Sequence, residues 1–290
     1  MRSLFSRTLP VRLMLAGLML ALLLGLSPVT ASAADGVLWS TDHESGSLGS
    51  AWPTIWISGQ ADAKMSTAYS RSGRYAVALT IYNANGSASP GVRLARVDTP
   101  STPGTLPNSA YYSAWYYFPQ VVYPAQWWNV LQWKRAWQVG TTRSSDPVYT
   151  VNIGNRADGA MYFYVYKHVG SDGRYNTSGQ GVMASAPISI TPGRWTQLEC
   201  SYVWAYDYTG SMRCWQDGAE IWNKTGLKTE FNEQKYFDHG PNSRQWTINN
   251  YSNQTNPTTQ TIYIDDAAIS AVRIGATNSA PSPPTNLRVE

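Results

Sequence analysis

Histidine and cysteine are scarce in this chain, and several catalytic signatures are missing altogether. The three histidines of the 290 residues, His43, His168 and His239, do not share the helical spacing of a zinc site. No Glu-x-Asp-x-Glu strand occurs, which removes the paired carboxylates of two-carboxylate glycan hydrolysis. No Gly-x-Ser-x-Gly elbow is present. Asp265-Asp266 lies in a strand pattern, with one side chain on each face. The pair therefore reads as structural, or as a calcium ligand, rather than as an acid/base couple. His43, in Asp42-His43-Glu44, reads as a turn or capping residue. No long helical period appears anywhere.

The ends carry little fold information. Arg2, Arg7 and Arg12 precede an apolar run, Leu13–Leu26, and a small-x-small site at Ala31-Ser32-Ala33. This is the pattern of a cleaved secretory signal, residues 1–34. Fourteen apolar residues fall short of the ~20 that span a bilayer, and no cysteine follows them to take a lipid. The mature protein is expected outside the cell, monomeric and free of the membrane. Lys+Arg exceed Asp+Glu by 22 to 18. Removing three arginines leaves 19 to 18, so the basic pI is no argument for nucleic acid. Charge is nonetheless uneven. Lys134, Arg135, Arg143, Arg156, Lys167 and Arg174 face only Asp146, Asp158 and Asp172 over the same stretch, as in a cationic groove for a polyanion or a solvated face. The other end, residues 277–290, starts as a Pro-rich linker. Its close, Pro-Pro-Thr-Asn-Leu-Arg-Val-Glu, resembles the first strand of a fibronectin type III domain; it reads as a disordered tail or a truncated start of such a domain.

Between the ends, residues 35–276, short runs of period two recur: Tyr75–Tyr82, Met161–Lys167, Thr196–Trp204, Trp246–Tyr251 and Thr261–Asp265. Gly, Pro, Asn and Ser separate them. Many short strands in one domain predict an all-β, antiparallel two-sheet sandwich of jelly-roll type. Val37–Thr41 is expected to pair near Ala268–Ile274. Cys200 and Cys214 flank a turn at Ala205–Gly210 and are symmetric about Asp207, so a cross-strand disulfide is predicted in an exported chain.

What the chain has in abundance is aromatic side chains. Tyr111–Trp137 holds 11 of the 37 aromatic residues in 27 positions. Trp and Tyr beside amides and cations suit a sugar groove, because their faces stack while their N–H and O–H edges still bond. Trp115, Tyr117, Trp128 and Trp133 are the expected stacking residues, with Tyr164, His168 and Asn249 beside them.

Four blocks carry a resemblance: Arg93-Leu94-Ala95-Arg96, Tyr111–Pro119, Gln132-Trp133-Lys134 and Thr247-Ile248-Asn249-Asn250-Tyr251. With Gly193-Arg194-Trp195 and Asp217-Gly218 between the last two, they resemble the heparin-lyase-I-like and alginate-lyase-like jelly-roll polysaccharide lyases, of concanavalin-A-like fold, over Trp39–Ile274. The resemblance implies β-elimination on an acidic, uronic-acid polysaccharide. Arg93 and Gln132 would engage the carboxylate, and Tyr251 would act as acid, base or both. No cofactor is required by this chemistry, with structural calcium left open. The sequence departs from the family where Lys134 stands in place of a common His, and where Thr247 and Asn249 replace a Lys-x-Gly-x-Tyr form. Lys134 is a good charge neutraliser and a poor base unless desolvated or beside other cations. The alternative reading is a lectin-like module with the same groove and no acid/base pair.

Overall fold

A computed structural model describes residues 36–98, 106–237 and 244–275. The expected signal segment, the tail 277–290 and His239 lie outside the described residues. Two antiparallel sheets pack face to face. The back sheet runs in the order β14 (Ala219–Leu227), β13 (Gly210–Gln216), β12 (Trp195–Val203), β6 (Ser109–Tyr117), β17 (Gln260–Ser270), β4 (Ala76–Ile81) and β3 (Ala61–Ser66), with β1 (Val37–Thr41) also on β17. The front sheet runs β11 (Gly181–Ser185), β10 (Met161–Lys167), β9 (Thr142–Asn155), β8 (Trp128–Val139), β15 (Arg244–Ser252), β5 (Gly91–Val97) and β2 (Thr54–Ser58). A small ribbon of β7 (Tyr123–Pro124) and β16 (Thr255–Asn256) stands apart from both. Among the described residues, helix is limited to two four-residue pieces.

The period of two decides which side chains fill the space between the sheets. In β10, Met161, Phe163 and Val165 are fully buried, while Tyr162, Tyr164 and Tyr166 face outward. In β12, Leu198, Cys200 and Tyr202 point inward, followed by Trp204. Large rings bridge the layers: Trp133 of β8 stacks on Tyr202 of β12 at 4.5 Å, and Tyr112 of β6 meets Trp246 of β15 at 5.3 Å. A polar bridge accompanies them. Asn250 of β15 donates to the carbonyl of Leu79 in β4, and its own oxygen accepts from the Trp128 indole at 2.9 Å. An interior amide with both ends bonded fixes the two sheets relative to one another.

Several expectations hold. Val37 pairs with Ser270 and Thr41 with Ala267. Cys200 and Cys214 are directly opposite in β12 and β13 and are disulfide-bonded, with Cα atoms 4.1 Å apart. Asp265 and Asp266 are structural. Asp265 accepts from the backbone N–H of Arg71 at 2.8 Å, and Asp266 pairs with the Arg71 guanidinium and the Ser72 hydroxyl. Together they pin the β3–β4 turn. Buried His43 is held between two fixed partners. Its Nε2 accepts from the Trp52 indole at 3.0 Å, so Nδ1 must carry the proton it shares with Asp265 at 3.3 Å. Both ring nitrogens are thus used up in structural contacts, which agrees with a turn residue rather than a base.

One expectation fails. The aromatic stretch Tyr111–Trp137, expected to suit a sugar groove, does not lie on one face of the fold. Its first part is β6 in the back sheet and its last part is β8 in the front sheet, so the run crosses the sandwich. Five of its eleven rings, Tyr112, Tyr116, Phe118, Trp128 and Trp133, are buried core.

Candidate functional site

The outer face of the front sheet is hollowed into a cleft of ≈ 800 Å³. Four strands aim polar groups into it. β5 supplies Arg93, β8 supplies Asn129, Gln132 and Lys134, β9 supplies Thr150 and Asn152, and β15 supplies Tyr251. Strict alternation along β8 would put Asn129 and Gln132 on opposite faces. A register shift between Asn129 and Leu131 inserts the extra residue that brings them to the same one. Bulges re-aim side chains in this way.

Cross-strand pairing sets the rest of the geometry. Trp56, Arg93 and Asn249 lie side by side on β2, β5 and β15. Thr247, Gln132 and Thr150 form a second row. The Tyr251 ring lies across Gly91, its pair partner on β5, where a Cβ would overlap the ring. Gly154 makes the same room beneath Tyr162. With the ring seated, the Arg93 guanidinium stacks on it at 3.9 Å, and Trp127 meets its edge at 4.7 Å. Lys134 is only 8 % exposed and lies 5.6 Å from the Trp56 ring.

These cations are costly to hold. Among the described residues, neither Arg93 nor Lys134 makes an ion pair. Burial, and then the positive charge of Arg93, push the Lys134 ammonium down to about 8, against a smaller opposing pull from Asp146. Burial also lowers Arg93, with Tyr251 offsetting part of it. Several buried polar atoms here have no protein partner: Arg93 Nε, Gln132 Oε1, Thr247 Oγ1 and Asn249 Oδ1. Buried groups of this kind are normally satisfied, so their gathering on one floor marks a place where charge and hydrogen-bonding capacity are kept for a ligand.

Sequence reasoning missed the floor beneath. Asn249 donates to Asn129, whose amide nitrogen faces the carbonyls of Leu131 and Val151 at 3.1 Å. Carbonyls only accept, so the orientation of Asn129 is fixed. It donates on to Asn152 at 3.1 Å; Asn152 donates to Thr150 at 3.0 Å, and the Thr150 hydroxyl meets His168 Nε2 at 3.2 Å. The chain runs in one direction from β15 to the end of β10. Burial pushes His168 down to about 4, so it is neutral at pH 7. Asn129 on β8 is the pair partner of Asn152 on β9, with Thr150 two residues along, but nothing in their spacing separates them from ordinary strand residues.

The expected stacking residues divide. Tyr164 and His168 line the cleft, and Asn249 lies in its floor. Trp128 and Trp133 do not: they point inward from β8 and are fully buried, one on Asn250 and the other on Tyr202. Trp115 and Tyr117 are on the outer face of the back sheet, where Trp115 carries Arg71 at 3.9 Å and Tyr117 stacks on Tyr69. The physical reason is parity and layer: β6 belongs to the other sheet, and on β8 Trp128 before the bulge and Trp133 after it each take the parity that faces the core. The cationic run divides likewise. Arg135 turns away from Lys134 to bond Glu230 and the Tyr236 carbonyl.

The fold and site define an antiparallel β-sandwich protein with a cationic, amide-lined cleft on one open sheet. The family model described as "Polysaccharide lyase" matches residues 43–268, and the chain belongs to that family. The fold is similar to that of an endo-β-1,4-glucuronan lyase from the fungus Trichoderma reesei, at 15 % identity and a TM-score of 0.61 over 81 % of this chain and 96 % of that one. It is also similar to a marine PL-14 alginate lyase from Aplysia kurodai, at 10 % identity and a TM-score of 0.52 over 80 % and 98 %. At such identities the likeness is one of fold. No curated protein matches the sequence.

Proposed function

We propose that the chain is an exported lyase that cleaves a uronic-acid polysaccharide by β-elimination in the front-sheet cleft. The observation that carries this reading is the gathering of Arg93, Gln132, Lys134 and Tyr251 on one face with buried, unpaired polar atoms. Removing the proton alpha to a carboxylate puts charge on that carboxylate, and fixed cations and amide dipoles lower the barrier to doing so. Arg93, held by stacking on Tyr251, and Gln132 take that role. The glucuronan and alginate lyases of similar fold act on polyuronates, which agrees with a cationic cleft.

Lys134 takes a larger part than charge neutralisation. A lysine at about 8 is partly uncharged near neutral pH and can accept the C5 proton. Tyr251 then protonates the leaving O4, and the product carries a C4–C5 double bond. The arrangement supplies both conditions under which a lysine becomes a base, burial and a neighbouring cation. Below pH 8 Lys134 is protonated, so kcat/KM should rise about tenfold per pH unit and level off above about 8. A panel of polyuronates followed by the ultraviolet absorbance of the unsaturated product tests the reaction. Lys134→Arg keeps a positive charge and removes the base. It should abolish turnover and retain binding; full activity in Lys134→Arg would return Lys134 to a neutralising role. Retention of a polyuronate by wild type without any product would identify a lectin instead.

A further inference from the structure

The outer face of the back sheet holds an aromatic group that the cleft does not use. Trp195, Tyr117 and Tyr263 are direct pair partners on the three adjacent strands β12, β6 and β17. Their rings form one row across the sheet, at 5.4 Å from Trp195 to Tyr117 and 6.2 Å from Tyr117 to Tyr263. Tyr69, from the β3–β4 turn, lies on Tyr117 at 4.4 Å and against Tyr263 at 4.9 Å, and is itself 37 % exposed. None of the four rings is fully buried. The solvent side of an antiparallel sheet is ordinarily polar, and contiguous exposed apolar surface on a soluble protein marks a contact site.

Charge says what kind of contact. The ionic groups around the row are neutralised within the protein: Arg71 by Asp266 at 2.5 Å, Lys64 by Asp62 at 3.9 Å, and Arg273 by Glu199 at 3.6 Å. Arg194, next to Trp195, makes no ion pair but lies near Asp217, whose carboxyl is raised by burial against the smaller pull of the Gln197 N–H and of Arg194. Among the described residues each of these cations thus has a carboxylate beside it, whereas Arg93 and Lys134 in the cleft make no ion pair. Flat rings with hydroxyl and indole edges, on a face without net charge, match a neutral sugar chain.

We propose that this row is a second, non-catalytic carbohydrate site for an uncharged polysaccharide, on the face of the sandwich opposite the cleft. It would hold the protein on neutral glycan while the cleft works on a polyuronate, and it does not depend on the reaction assigned to the cleft. The test is affinity electrophoresis of the full chain in gels containing soluble neutral glucan or mannan, with depletion by amorphous cellulose as a second measurement. Wild type should be retained by at least one of these polymers, and retention should persist in 1 M NaCl. Tyr69→Ala and Trp195→Ala should each weaken it by about tenfold, with the far-ultraviolet dichroism spectrum unchanged, while Gln132→Ala retains it in full. Failure of every neutral polymer to retain wild type would overturn the proposal. So would equal retention of Tyr69→Ala and Trp195→Ala, loss of retention in Gln132→Ala, or a concentration-dependent dimer that Tyr69→Ala dissociates, which would assign the face to a second copy.

Discussion

The two outer faces of the sandwich are built from the same residue types and differ in how their cations are used. On the back sheet Arg71 stacks on Trp115 and also pairs with Asp266. On the front sheet Arg93 stacks on Tyr251 at the same 3.9 Å and has no carboxylate partner among the described residues. Pairing makes the first arginine a strut for a turn. Burial without pairing makes the second a stored positive charge, whose desolvation is offset by the rest of the fold. The lesson is that an aromatic-cation contact does not mark a site; an unpaired, buried cation beside unsatisfied amides does.

Removing one oxygen should separate the faces most sharply. Tyr251→Phe keeps the ring on Gly91 and under Arg93, so binding should survive while turnover falls by about 100-fold or more. The same change on the other face, Tyr111→Phe, should leave turnover within about twofold. Steady-state kinetics on a cleaved polyuronate reads both; full activity in Tyr251→Phe would remove the tyrosine from the chemistry.

The next effect is on stability and belongs to the back sheet alone. Replacing Cys200 and Cys214 with alanine opens a loop whose ends are 14 residues apart, and should cost about 3 kcal/mol in the chain-entropy model. Denaturant unfolding should show that loss, with KM and kcat of the folded protein little changed. A parallel loss of activity would mean that the back sheet controls the shape of the cleft.

A smaller change tests the seat of Tyr251. Gly91→Ala puts a methyl group into the ring. Turnover should drop by about tenfold, because displacing a catalytic group by a fraction of an ångström weakens its alignment, while the melting temperature moves by a few degrees at most. The mildest effect is the pH response of the floor. His168 is held down to about 4 by burial, so the folded state binds fewer protons than the unfolded chain between its ordinary value and about 4. The stability this contributes is complete above the unfolded value near 6.5 and is lost as pH falls toward 4. His168→Gln should flatten that part of the stability curve, measured by denaturant midpoints from pH 7 to pH 4.

How much of this was legible depends on what each residue's role requires. The disulfide was readable because two cysteines symmetric about a turn can face only one another. The strand at Met161–Lys167 was readable because its tyrosines and its apolar residues alternate without a break. Arg93, Gln132, Lys134 and Tyr251 were named from block order, and the pairing of β5, β8 and β15 brings them to one cleft. Trp128 and Trp133 were misplaced because a tryptophan that stacks on a sugar and one that stacks on Tyr202 read alike, and because the bulge after Asn129 changes which parity faces outward.

Composition and periodicity thus determined the all-β sandwich, the alternation of each strand and the disulfide, since these follow from local geometry and nearest-neighbour pattern. Tertiary structure alone decided that Tyr111–Trp137 is split between two sheets and that Asn129, Asn152 and Thr150 link into one directed chain. It also decided that Lys134 becomes a lysine of about 8. Those outcomes depend on which distant strand lies alongside and how much water it excludes, and neither is encoded in the spacing of residues along the chain.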